Sequence, residues 1–148
     1  NVTGTFLTSR KVIPHLVNQR SGSIVNMSST AGLMGFPNRA PYAAAKWAII
    51  GLTKTMAMEL GEFGVRVNAV CPGSVANERM DRVVELEADA SGRSAAEIRR
   101  GFTNAVSLQT FVDPADIAAM IRFVWSPAGA RISGQALTVD GHTESARS

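Results

Sequence analysis

Apolar residues recur at spacings of three and four between about Thr3 and Val17: Phe6, Leu7, Val12, Ile13, Leu16 and Val17. That period predicts a helix over residues 3–17. Pro14 removes one backbone donor inside it and is expected to kink it near Arg10. Arg20-Ser21-Gly22 reads as a turn, and Ser23–Ser28, with Ile24 and Val25 at its centre, as a short buried strand. Gly32, Gly35 and Pro37 make the stretch from Ser29 to Ala40 a loop. Pro41 suits a first helical position, and the helix predicted over 42–63 stops at Gly64. Ala43, Ala45, Trp47, Ile49, Ile50, Leu52, Met56, Met58 and Leu60 cover most of its circumference, which predicts burial on more than one side. One side can face a sheet; the other calls for a second helix, with another subunit as one source.

Val65–Cys71 is a second apolar strand, ended by Pro72-Gly73. From Ser74 to Gln109 the chain turns polar and weakly helical, over 80–90 and 95–105. A long polar excursion between core elements is expected to be a functional lid. Asp113-Pro114-Ala115-Asp116 is a helix start, with a capping acid, a first-turn proline and an acid at the positive end of the dipole. That helix is expected to reach Trp125, and Gln135–Val139 is a last short strand. Strands alternating with helices predict an α/β fold, about three parallel strands with flanking helices.

Composition narrows the function classes. The chain has 148 residues, 45% hydrophobic and 18% charged, enough apolar material for one domain with a real core. A net charge of +3 is mild for a nucleic-acid binder. In the lid, Arg79, Arg82, Arg93, Arg99 and Arg100 are interleaved with Glu78, Asp81, Glu85, Glu87, Asp89 and Glu97, the pattern of a solvated surface. The single cysteine, Cys71, allows neither an internal disulfide nor a cysteine metal site, and no metal site is expected. No run approaches the ~18 apolar residues of a membrane span. No basic-then-apolar leader opens the chain, so a cytoplasmic location is expected. The first residue is not methionine, so Asn1 reads as a cut.

The candidate chemistry lies in "PYAAAKWA". Tyr42 and Lys46 stand at i and i+4, so both side chains leave one face of the helix. A cation held against a phenol favours the phenolate, and such a phenol can give or take a proton near neutral pH. The bland alternative is a core-edge tyrosine beside a snorkelling lysine. Two neighbours weigh against it. Ser29 stands 13 residues before Tyr42 at the end of a buried strand, and the next strand ends in "NAVCPGSV". Carboxyl ends of parallel strands are where open α/β sheets place ligands.

"GSIVNMSSTAG", "PYAAAKWAIIGLTKTMAMEL", "GVRVNAVCPGSV" and "ISGQALTVDGH", with "NVTGTF" at the start, resemble the second half of a short-chain dehydrogenase/reductase. The resemblance runs from Asn1 to about His142. It implies the C-terminal part of one Rossmann-like, doubly wound parallel sheet, with 74–109 as its lid. It implies hydride transfer between NAD or NADP and an alcohol/carbonyl substrate. Tyr42 matches the acid/base, Lys46 the residue that tunes it and holds the nicotinamide ribose, and Ser29 the hydroxyl on the substrate oxygen, with Ser28 the alternative. Asn1 matches the fourth catalytic residue, on a water-linked proton path through Lys46; its bland alternative is a frayed terminus. Pro72, Gly73 and Val75 match the turn beside the nicotinamide, where the Val75 backbone would meet the carboxamide. The family's usual threonine is replaced by Asn77, which can still hydrogen-bond the cofactor. The usual "VDGG" is "VDGH" here, with His142 a surface or interface residue, and Gln109-Thr110-Phe111 replaces an arginine-containing stretch.

The glycine-rich phosphate loop of the family's cofactor half has no counterpart in the chain. A chain starting at Asn1 would leave the strand around Ile24 without its inner neighbour and expose an edge. The resemblance also implies a homo-oligomer, assembled through helices 3–17 and 42–63. Two alternatives stand beside an oxidoreductase: a truncated remnant that keeps only those assembly helices, and a related epimerase or dehydratase. The short tail after Val139 disfavours the last. The polar lid is expected to choose a polar, hydroxylated small molecule.

Overall fold

A computed structural model of the chain describes residues 1–144. Three parallel strands, β1 (Gly22–Met27), β2 (Val65–Pro72) and β3 (Ala136–Val139), lie in the order β1-β2-β3. The register runs from Gly22 opposite Val65 to Met27 opposite Val70, and from Ala69 opposite Ala136 to Pro72 opposite Val139. Among the described residues no strand pairs with the other edge of β1. Helix α1 (Val2–Gln19) precedes β1, α2 (Ala40–Leu60) connects β1 to β2, and α3 (Glu78–Ser91), α4 (Ala95–Asn104) and α5 (Pro114–Trp125) lie between β2 and β3. The α/β architecture and every element predicted from the pattern are present.

Parallel strands covered on both faces read as apolar runs rather than alternating ones, and β2 is such a strand. Val65, Val67, Ala69 and Cys71 face α1 and α2. The first two pack with Met56, Leu60, Ile13, Leu16 and Val17, and the other two with Ile50. Arg66, Asn68 and Val70 point the other way by the two-residue period. On that side the Trp125 indole of α5 donates to the Ser23 carbonyl at 3.0 Å. Each fully buried valine contributes roughly 1.5–3 kcal/mol. Buried Asn68 joins β2 to the chain entering β3: its amide donates to Ile132 O at 2.8 Å and its oxygen accepts from Gln135 N at 3.1 Å.

Helix α1 continues through Pro14, which removes one backbone donor inside it. The carbonyl Pro14 orphans belongs to exposed Arg10, where water can serve it. The loop after β1 contains a single 3₁₀ turn, Thr30–Gly32, and the end of the predicted 42–63 helix tightens into another at Gly61–Phe63. Within this chain α2 is buried on one side only, through Lys46, Ile49, Ile50, Thr53, Met56 and Leu60; Trp47 and Met58 stand 52% and 87% exposed. Caps fix the later helices. Ser94 and Glu97 form a capping box at α4, and Asp113 and Asp116 form one at α5. The Ser94 hydroxyl and amide hold the exposed Glu97 carboxyl below the ordinary range. No described helix is long and apolar enough to cross a membrane.

Candidate active site

Ser29, Pro72, Gly73 and Val75 lie at or just after the carboxyl ends of β1 and β2. α2 presents Tyr42, half-buried, and Lys46, 9% exposed, on one face. Lys46 Nζ lies 5.6 Å from the Tyr42 ring centroid and donates to the Met27 carbonyl, at the end of β1, at 3.0 Å. A buried ammonium is costly unless its donors are met. Met27 O is its hydrogen-bond acceptor among the described residues, and an ammonium carries three donors.

Ser28 and Ser29 divide their work. Ser28 is buried, and its hydroxyl donates to the Lys46 carbonyl at 2.9 Å, tying the end of β1 to α2. Ser29 is only half-buried and caps the Thr30–Gly32 turn, its Oγ accepting from Ala31 N at 3.2 Å. A hydroxyl that accepts in this way keeps its proton to donate. Gly32 seats the turn: a Cβ there would stand 2.7 Å from Ser28 Oγ and 2.8 Å from Lys46 O. The packing leaves Ser29, not Ser28, as the hydroxyl facing outward.

The β2 turn completes the rim. Gly73 N donates to Val139 O at 3.0 Å, and a Cβ on Gly73 would meet Asp140 Cβ at 2.8 Å. Val75 forms a parallel bridge with Val112. Val112 N donates to Ser74 O and Ala76 N donates to Val112 O, both at 2.9 Å. The Val75 N–H and C=O therefore point away from Val112. Asn77 is exposed, and its side-chain oxygen accepts from Met80 N at 2.9 Å as the cap of α3. Asn1 is exposed at the start of α1; its carbonyl accepts from Thr5, and no hydrogen bond joins it to Lys46 among the described residues. Tyr42 and Lys46 are therefore neighbours on α2, Ser29 lies just past the end of β1, Pro72, Gly73 and Val75 lie at or just past the end of β2, and Asn1 and Asn77 make no hydrogen bond to any of them among the described residues.

Burial pushes the Cys71 thiol up, partly offset by Ser28 and the Ser29 backbone. No described group of histidine, cysteine or acid side chains could hold a metal ion. Two features escaped the sequence: Asp140 backing Gly73, and an exposed Ser107–His142–Glu144 chain between the residues after α4 and the turn after β3. Both join residues far apart in sequence and leave no local pattern.

A family profile described as Enoyl-(Acyl carrier protein) reductase matches residues 1–142. The chain belongs to the short-chain dehydrogenase/reductase family. Among relatives of this family, 2-(S)-hydroxypropyl-CoM dehydrogenase 3 of Xanthobacter autotrophicus is 41% identical over 141 residues, covering 95% of the chain and 53% of the relative. An F189W actinorhodin polyketide ketoreductase solved with NADPH matches at TM-score 0.89 and 35% identity, over 95% of this chain and 55% of that one. An NAD⁺-bound xylitol dehydrogenase matches at TM-score 0.89 and 31% identity, over 96% of this chain and 56% of that one. The chain thus spans about half the length of the short-chain dehydrogenase/reductase relatives it matches.

Proposed function

We propose that the chain is the catalytic half of an NAD- or NADP-dependent oxidoreductase acting on an alcohol/carbonyl pair. One observation carries the reading. Tyr42 and the buried Lys46 ammonium share one face of α2 at the carboxyl end of β1, with the Ser29 hydroxyl and the Val75 backbone on the same rim. The residues fit a nicotinamide nucleoside. Lys46 has ammonium donors for ribose hydroxyls, the phenol of Tyr42 can share them, and the free Val75 N–H and C=O match a carboxamide in both senses. Pro72 and Gly73 shape that turn, and the Asn77 amide is within the same segment. A bound nicotinamide supplies the hydride acceptor or donor.

The side chains divide the remaining work. Tyr42 gives a proton to the substrate oxygen during reduction and takes it back during oxidation. Ser29 donates its free proton to the same oxygen and stabilises charge developing there. Lys46 keeps positive charge beside the phenol and orients the ribose. Asn1, not bonded to Lys46 directly, would act through an intervening water. The 74–109 segment serves as the substrate lid. The exposed apolar residues of α1 and α2, Phe6, Leu7, Trp47 and Met58, support assembly of copies through these helices; a monomer by light scattering would count against that.

The test uses the complete protein carrying this chain. NADH and NADPH consumption is followed against a panel of ketones and hydroxy-ketones, for wild type and Tyr42→Phe. The expected loss on removing the phenol is about 10²–10⁴-fold, with the unfolding temperature unchanged. Turnover surviving in Tyr42→Phe would exclude Tyr42 as the acid/base.

A further inference from the structure

A second cluster of nucleophilic and titratable side chains lies at the foot of the lid. His142 Nδ1 is 2.6 Å from Ser107 Oγ, and its Nε2 is 3.3 Å from Glu144 Oε1. Ser107 follows α4, whereas His142 follows β3. Two backbone bonds run alongside: Ser107 N donates to His142 O at 3.0 Å, and Leu108 N to Gly141 O at 3.2 Å. The buried Asp140 carboxylate accepts from His142 N at 3.1 Å and from Thr143 N at 3.0 Å. The same acid that backs Gly73 therefore holds the turn that carries the imidazole.

His142 has a φ of 71°. That left-handed conformation is free for glycine and costly for a residue with a Cβ. Nothing in the backbone calls for a histidine there; the bond from its ring to Ser107 does. The three side chains do not make a hydrolytic centre, because the amide nearest the serine hydroxyl, Ser107 N–H, is already spent on the His142 carbonyl.

We propose that His142 is a positioning residue for the lid, its imidazole pinning Ser107 and so fixing where α4 leaves the site. The inference rests on the reading of 74–109 as the substrate lid. The near end of that segment is already held by the Val75–Val112 bridge. Buried Val106 packs where a Cβ on Gly141 would come within 2.8 Å of it. Among the described residues, the Ser107–His142 contact is a side-chain bond that joins the far end to the turn after β3.

The test is a double-mutant cycle in the complete protein with His142→Gly, Ser107→Ala and both together. Amide exchange of Ser107 and Leu108 reads the latch without any turnover. A net hydrogen bond of ordinary strength predicts exchange faster by about threefold to tenfold in each single variant, with no further gain in the double. The unfolding midpoint of His142→Gly should not fall, since glycine relieves the left-handed φ. In turnover assays KM for the carbonyl substrate should rise severalfold in both single variants with kcat little changed. Unchanged exchange, or single effects that add in the double, overturns the latch. Faster exchange with KM unmoved overturns its role in placing the lid. A parent protein without nicotinamide turnover counts instead against the enzyme reading, and the exchange cycle then decides the latch alone.

Discussion

Replacing Gly32 by alanine probes how tightly the Ser29 turn is seated on α2. The added methyl would stand 2.8 Å from Lys46 O, 2.9 Å from Lys46 C and 2.7 Å from Ser28 Oγ. Favourable contacts between heavy atoms lie near ~3.5–4.0 Å, so the turn must move by several tenths of an ångström. The obstacle is mostly helix backbone, which gives little. Ser28 can yield only by surrendering its bond to the same Lys46 carbonyl. Overpacking of this kind costs about 1–3 kcal/mol. At about 2–4 °C per kcal/mol for a chain of this size, the unfolding temperature should drop by about 2–12 °C. Gly35→Ala is the control, because no atom lies within 4 Å of a Cβ built there; it should change stability by no more than about 0.5 kcal/mol. Thermal unfolding followed by circular dichroism reads both. If Gly32→Ala unfolds where wild type does, the seat is loose and Ser29 is not positioned by α2.

Other outcomes follow from the same geometry. Lys46→Met should weaken cofactor affinity and turnover together, by calorimetry and steady-state kinetics, while Gly35→Ala leaves both intact. Asn68→Ala removes two part-buried hydrogen bonds, which predicts a loss of about 1–3 kcal/mol in urea titrations; a loss under about 0.5 kcal/mol would show that β3 is held otherwise. Burial raises the folded Cys71 thiol above its ordinary value of 9.0. The stability it contributes is therefore complete below that pH and is lost as pH climbs through the folded value, because the unfolded chain ionises first. Cys71→Ala should flatten the alkaline fall in stability, and an identical slope in the variant would assign it to other groups.

Much of the fold was legible because period and punctuation agree. Ile13, Leu16 and Val17 recur at helical spacing and pack on Met56 and Leu60. Asp113-Pro114 marks the start of α5 at the residue where the capping box forms. The spacing of Tyr42 and Lys46 put them on one face before any contact was known. The all-round apolar pattern of α2 overstated its burial in this chain, since Trp47 and Met58 have no neighbour here to cover them. The division of labour between Ser28 and Ser29 turns on which hydroxyl meets the Lys46 carbonyl, and sequence spacing only leans towards it. Ser107 and His142 come together through the crossover from β2 to β3, which no local pattern encodes.

The most direct test of the central claim is the structure of the complete protein bound to NAD or NADP. The account predicts the nicotinamide ribose hydroxyls within hydrogen-bond distance of Tyr42 Oη and Lys46 Nζ, with the carboxamide on the Val75 backbone and Ser29 facing the reactive carbon. A nicotinamide bound away from Lys46, with its ammonium still held by Met27 alone, would contradict it.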